Sequence, residues 1–157
     1  MVYADTSAIV KKYVDEPGSA EFRGLIQRAD VIGTCVLSRA EAAAAFARAI
    51  RIGSLSPSDA EAGRAAFSRE WKHYARIRIT EALIARADNL AWSLQLRGYD
   101  AGHLAAALHW SERLGEAIVL ATFDRELWVA ARKAELEVFP ADLGIRGGDR
   151  VLKLDGK

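Results

Sequence analysis

An α/β sandwich on a parallel sheet of about five strands is the fold this sequence predicts. Three observations lead there. Short apolar, β-rich runs alternate with longer segments of helical periodicity along the chain. Two of those runs, VIGTCVL at 31–37 and AIVLATF at 117–123, are apolar on both faces, as strands covered from both sides are. The 157 residues, 51% hydrophobic and 27% charged, suit one globular domain with a substantial core. A single domain over 1–157 is therefore expected, with a core at 1–140 and a tail at 141–157 that frays or adds a short edge.

The elements follow in chain order. Val2 to Ala4 is a short apolar run that stops at Asp5, and TSAIVKKYVDE carries helical spacing until the Pro17-Gly18 pair ends it. SAEFRGLIQRA makes a second short helix. VIGTCVL is a strand, and SRAEAAAAFARAIRIG is a strong helix closed by Gly53. Ser56 as cap and Pro57 at the first helical position open the next helix, through SPSDAEAGRAAFSREWKHYA. RIRIT at 76–80 alternates polar and apolar and makes a strand. EALIARADNLAWSLQLRG is helical and ends at Gly98, and DAGHLAAALHWSERLG is helical and ends at Gly115. AIVLATF is the next buried strand, DRELWVAARKAEL the last helix, and EVF a short final strand before Pro140.

Composition excludes several classes. The net charge of +1 means that any nucleic-acid contact needs a local basic surface. One cysteine, Cys35, lies in an apolar run, so disulfide frameworks and zinc–thiolate clusters are excluded. The start, MVYADTSAIV, lacks the basic flank and long apolar core of a signal peptide, and no apolar run is long enough to span a bilayer. A cytoplasmic protein without membrane contact is expected. Neither a Walker-type phosphate loop nor a Gly-x-Ser-x-Gly elbow occurs.

Four carboxylates stand where helices begin. Asp5 and Asp124 follow strands, Glu41 lies one turn into the helix after the second strand, and Asp100 heads the alanine-rich helix. Capping alone accounts for each singly: Asp5, Asp100 and Asp124 as N-caps, and Ser38 with Glu41 as a Ser-x-x-Glu capping box. Taken together they mean more, because parallel sheets gather strand ends and bind ligands beyond their carboxyl ends. Asp100 joins that rim only if its helix packs beside the first strand. Carboxylates about 4 Å apart repel by roughly 4 kcal/mol per pair at an effective dielectric of 20. Such a cluster needs a cation or must take up protons. Its all-oxygen donors favour Mg2+ or Mn2+ over zinc. The hydroxyls of Thr6, Ser7 and Thr122 are placed to hold a carboxylate or a water, with helix capping and strand packing as their ordinary roles. An acidic magnesium site with room for phosphate points to phosphodiester hydrolysis.

His103, three residues after Asp100, is placed either to orient Asp100 or touch phosphate, or to sit as a packed helix histidine. Trp92, Trp110 and Trp128 fall at helical spacing and suit core or interface. Arg64, Arg69, Lys72, Arg76, Arg78 and Arg86, with Trp71 and Tyr74 between them, suit either a grip on RNA with base stacking or a solvated face interrupted by Glu61, Glu70 and Glu81. Two other acidic-pocket classes fit poorly. An aspartyl phosphatase wants a second aspartate two residues after the first, where Ser7 stands. A receiver domain wants a lysine after the last strand, where Pro140 stands.

VYADTSAIVKKYVDE, SRAEAAAAF around Glu41, LRGYDAGHLAAAL around Asp100, and ATFDREL around Asp124 together resemble the PIN-domain ribonucleases, most closely the VapC-type toxins of toxin–antitoxin pairs. The pieces run in that family's order from about residue 2 to 140. The resemblance implies a helix-sandwiched parallel sheet of about five strands. It implies that Asp5, Glu41, Asp100 and Asp124 form an acidic quartet around Mg2+ or Mn2+, with Ser7 and Thr122 as its polar neighbours. Asp5 and Asp124 would be the main metal ligands, Asp100 a direct or water-bridged one, and Glu41 a ligand or the group that positions the attacking water. It also implies an endoribonuclease acting on structured RNA such as transfer or ribosomal RNA, a homodimer, and a small VapB-like antitoxin that blocks the acidic pocket. Gly102 stands where relatives often carry a larger residue. Two other functions share the pocket: a catalytically silent module that holds a partner's arginine, and a nuclease for DNA flaps or single strands. The small size, without an inserted arch, counts against the latter.

Overall fold

The computed structural model describes residues 1–144, so the expected tail lies largely outside the described residues. Five strands form one sheet: β1 (Val2–Ala4), β2 (Ile32–Cys35), β3 (Ala75–Ile77), β4 (Val119–Ala121) and β5 (Glu137–Phe139). The order is β3-β2-β1-β4-β5 and every pairing is parallel. Seven α-helices connect them: α1 (Thr6–Tyr13), α2 (Ser19–Gln27), α3 (Ser38–Arg51), α4 (Pro57–Glu70), α5 (Glu81–Leu94), α6 (Gly98–Leu114) and α7 (Arg125–Lys133).

Strand periodicity divides the core. Val2 and Ala4 point to one face with Ile9, Phe22, Phe46 and Phe67, which belong to α1–α4. Tyr3 points to the other, with Leu83, Leu104, Leu120 and Leu127, beneath α5–α7. The sheet is therefore covered on both sides, which is why its central strands β1 and β4 are apolar throughout. The chain leaves β1 towards β2 and β3 on one side, and returns to β4 and β5 on the other. The carboxyl ends of β1 and β4 flank that reversal, where ligands of open α/β sheets bind. Helix α6 lies so close to β2 that a Cβ on Gly33 would stand 2.6 Å from the Trp110 ring.

Several boundaries differ from the expected ones. The strands at 31–37, 76–80 and 117–123 are shorter, because pairing stops where the chain turns into the rim. The expected helix to Gly98 ends at Leu94: Gln95 adopts a left-handed conformation (φ 55°) and its N–H bonds to the Ala91 carbonyl, so Gly98 opens α6 instead of closing α5. The fourth helix tightens into a 3-10 turn at Trp71–His73. Among the described residues no helix is long and apolar enough to cross a membrane.

Candidate active site

Asp5 ends β1 and caps α1, its Oδ1 accepting from the Ala8 N–H at 2.9 Å. Capping is only part of its role. The Ser7 hydroxyl lies 2.8 Å from Oδ1 and 3.0 Å from Oδ2, and the Thr122 hydroxyl donates to Oδ2 at 2.9 Å. Thr122 in turn accepts from the Asp124 N–H at 3.0 Å, and Ser7 accepts from the Phe123 N–H at 2.8 Å. These two hydroxyls stitch the exit of β4 to the exit of β1. Asp5 is only 4% exposed. Burial raises its pKa above the ordinary value, against the charge of His103 and the three hydrogen-bond donors.

Glu41 does not form the capping box that its spacing from Ser38 suggests. Leu37 occupies the N-cap of α3 and makes no side-chain cap bond. Ser38 instead bonds Thr34 at 2.7 Å, and Thr34 donates to the Ala4 carbonyl at 2.7 Å, which ties β2 to β1 below the rim. Glu41 Oε2 thus accepts from the Thr6 hydroxyl and pairs with His103 Nε2 at 2.8 Å. The other ring nitrogen of His103 shares a 2.9 Å hydrogen bond with the Tyr3 hydroxyl. His103 is therefore a buried histidine directed at Glu41, not at Asp100. Burial alone would push Glu41 up, but the hydrogen bond and charge of His103, with the Thr6 hydroxyl, hold it below its ordinary value. Burial would push His103 down, and Glu41, Asp5 and Asp100 hold it above its ordinary value. Glu41 Oε1 is left to water or a ligand.

Asp100 occupies the first turn of α6, after Arg97 at the N-cap, so it does not cap the helix. Helix α6 does pack beside β1: its His103 and Trp110 both meet Tyr3. Burial, the charge of Asp124 and the charge of Asp5 raise Asp100 to about 7, with His103 and Arg97 opposing. Asp5 and Asp124 are thus near enough to Asp100 for their charges to act on it. Asp124 caps α7 through Oδ1, which accepts from the Glu126 and Leu127 N–H groups, and leaves Oδ2 free of that duty.

The donors are oxygens, except for a histidine already paired on both ring nitrogens. Among the described residues no three of the carboxylate, histidine and cysteine groups close into a metal cage. Carboxylate and hydroxyl oxygens are the donor type that a magnesium-type ion takes, and among the described residues thiolates and free imidazoles, the usual zinc donors, do not line the rim.

The aromatic residues meet the sequence expectations only in part. Trp71 and Tyr74 are buried, at 8% and 6% exposure, so they do not stack a base. Trp92 is 89% exposed and is not core. Trp110 is half-buried against the core, and half-buried Trp128 donates to the Pro140 carbonyl at 2.8 Å. Tyr3 was not anticipated as part of the site. Its signal was a phenol in a strand buried on both faces, where the hydroxyl must find a partner.

Residues 2–134 match the PIN domain family. Ribonuclease VapC45 of Mycobacterium tuberculosis (strain CDC 1551 / Oshkosh) is 33% identical to this chain over 143 residues, covering 91% of it and 97% of the relative. Ribonuclease VapC49 of Mycobacterium tuberculosis (strain ATCC 25618 / H37Rv) matches to the same extent. Among solved structures, FitAcB from Neisseria gonorrhoeae superposes with a TM-score of 0.61 at 15% identity, over 90% of this chain and 98% of that one. VapBC2 from Rickettsia felis, solved with a fragment of promoter DNA, gives 0.57 at 13% identity, over 88% and 97%. At those identities the likeness is one of fold.

Proposed function

This chain belongs to the PIN-domain family, and from that membership and its site we propose a metal-dependent endoribonuclease, the toxin of a toxin–antitoxin pair. One observation carries the proposal: Asp5, Asp100 and Asp124 gather at the sheet reversal, where burial and then the charges of Asp124 and Asp5 raise Asp100 to about 7, beside a Glu41 that pairs with His103. Identity to two ribonucleases across nearly the whole chain supports it.

Asp5 and Asp124 would be the main metal ligands, Asp100 a direct or water-bridged one. When bound, Mg2+ or Mn2+ supplies Lewis acidity and neutralises charge that develops on the phosphate. Ser7, Thr122 and the Ala8 N–H fix the Asp5 carboxylate, so it does not reorient during the reaction. Glu41 spends Oε2 on Thr6 and His103, and its Oε1 is the acceptor that orients the attacking water. Asp124 is anchored through Oδ1 and offers Oδ2.

The proposed substrate is structured RNA such as transfer or ribosomal RNA, the proposed assembly a homodimer, and the proposed regulator a VapB-like antitoxin. Purified protein should cut total RNA with Mg2+ or Mn2+ and leave it whole in EDTA. Asp5→Asn should lower the rate at least ~100-fold in a folded protein. Equal cleavage by that variant, or cleavage in EDTA, would refute the proposal. RNA and DNA oligonucleotides of one sequence separate a ribonuclease from a DNA nuclease.

A further inference from the structure

Beyond the acids, an open cleft of about 560 Å³ lies at the β3 edge of the sheet. Arg39, Arg76 and Arg78 line it, over a wall formed by Trp71 and Tyr74. All three arginines are exposed, and none pairs with a carboxylate among the described residues. Arg86 differs: it is spent on Glu112 in a bidentate pair at 2.6 and 2.7 Å. The wall is rigid. Trp71 and Tyr74 are buried, with ring centroids 5.4 Å from Phe67 to Trp71 and 5.9 Å from Phe67 to Tyr74. Three like charges held together on a firm surface repel one another, and an anionic ligand relieves that repulsion.

The cleft is also well placed. The Val36 N–H bonds to the Ile77 carbonyl, so the exits of β2 and β3 lie side by side. Arg78 follows β3 directly. Arg39 and Glu41 both lie in the first turn of α3, and their separation of two residues turns them to different sides of the helix. One side of that turn belongs to the acid hollow, the other to the cleft. A polyanion approaching the hollow meets carboxylate repulsion, and a molecule of net charge +1 offers no general attraction to offset it. Guanidinium forks match phosphate oxygens in bidentate fashion.

We infer that Arg39, Arg76 and Arg78 form a phosphate-binding track that holds the RNA strand beside the acid hollow, a subsite for backbone rather than for bases. This rests on the ribonuclease proposal above. The test compares three full-length variants with wild type. One is Arg39→Gln, Arg76→Gln, Arg78→Gln; the second replaces the same residues with lysine; the third is Arg64→Gln, Arg69→Gln, exposed positions on α4 that do not line the cleft. Binding of a fluorescent 12-nucleotide single-stranded RNA is measured by anisotropy in EDTA across a salt series, and cleavage of the same RNA is measured in Mg2+.

The triple glutamine variant should bind at least ~10-fold more weakly, and its slope of log K against log salt should shrink by about 2, at ~0.7 for each phosphate that is no longer neutralised. In cleavage the loss falls on KM rather than kcat. The lysine variant should keep most of the slope, and the α4 variant should bind as wild type does. Equal loss in the α4 variant would make the attraction diffuse and overturn the track. Unchanged RNA binding by the triple glutamine variant would also overturn it. So would tight binding of a 12-residue polyglutamate lost only on removing the three arginines, which assigns the cleft to an acidic protein segment. Wild type that neither binds nor cuts RNA removes the ribonuclease proposal and the track together. Wild type that cuts RNA while the triple glutamine variant is unaffected removes the track alone.

Discussion

Thr122 shows how much of this site depends on residues that bear no charge. Its hydroxyl donates to Asp5 and accepts from the Asp124 N–H, and the side chain is fully buried. Thr122→Val keeps the shape and removes both bonds. It should destabilise the protein by about 1–3 kcal/mol in urea unfolding and lower cleavage roughly 10- to 100-fold; wild-type values for both would mean that the hydroxyl does not hold the site. Asp100 behaves in the opposite sense. Its folded pKa of about 7 lies above the ordinary carboxylate value, so the folded state keeps a proton that the unfolded state releases. Without metal, that proton makes the fold lose stability as pH rises from about 4 to 7. Asp100→Asn removes the repulsion, and should raise the melting temperature in EDTA at pH 8 while removing most of the stabilisation by Mg2+. A lower melting temperature there would contradict the repulsion. At this scale the sequence was partly legible. The four acids and the three hydroxyls were visible as positions, because strand ends in such sheets are known places. The partner of His103 was not visible: spacing along one helix pointed to Asp100, whereas packing against β1 and α3 directed the ring to Tyr3 and Glu41.

Helix α6 and strand β2 meet at Gly33, where the absence of a side chain admits the Trp110 ring. Gly33→Ala forces either the strand or the indole to move. The expected loss is about 1–3 kcal/mol, with a changed near-ultraviolet tryptophan signal, because overpacking a fixed ring displaces backbone. Since α6 carries both Asp100 and His103, cleavage should fall with it. An alanine variant of wild-type stability would show that the contact is loose. The order of elements was readable from the alternation of strand-like runs and helical spacing, and all five strands appear where apolar or alternating stretches stood. Their ends were less legible. Strand pairing stops at the rim for reasons of neighbouring geometry, and Gly98 looked like a helix stop because glycine favours left-handed caps, although Gln95 took that conformation. The capping box failed for a similar reason: Ser38 and Glu41 had stronger partners in other elements.

For the whole molecule, the sheet reversal places Asp5 and Asp124 just beyond the ends of two neighbouring strands, and the two covering layers bring Glu41 from one side and Asp100 from the other. The hollow is thus assembled only in the complete fold, from carboxylates of which Asp124 and Asp5 raise the pKa of Asp100 by their charges. Stabilisation by Mg2+ should accordingly grow as pH rises from 5 to 8, as Asp100 releases its proton. Equal stabilisation at both pH values, followed by thermal melting, would place the ion elsewhere. The most direct test is an anomalous difference map at the manganese edge from crystals of the protein grown with Mn2+. A peak within coordination distance of Asp5 and of Asp100 or Asp124 is the predicted result; a well-ordered hollow without a peak, or a peak remote from those carboxylates, would contradict it.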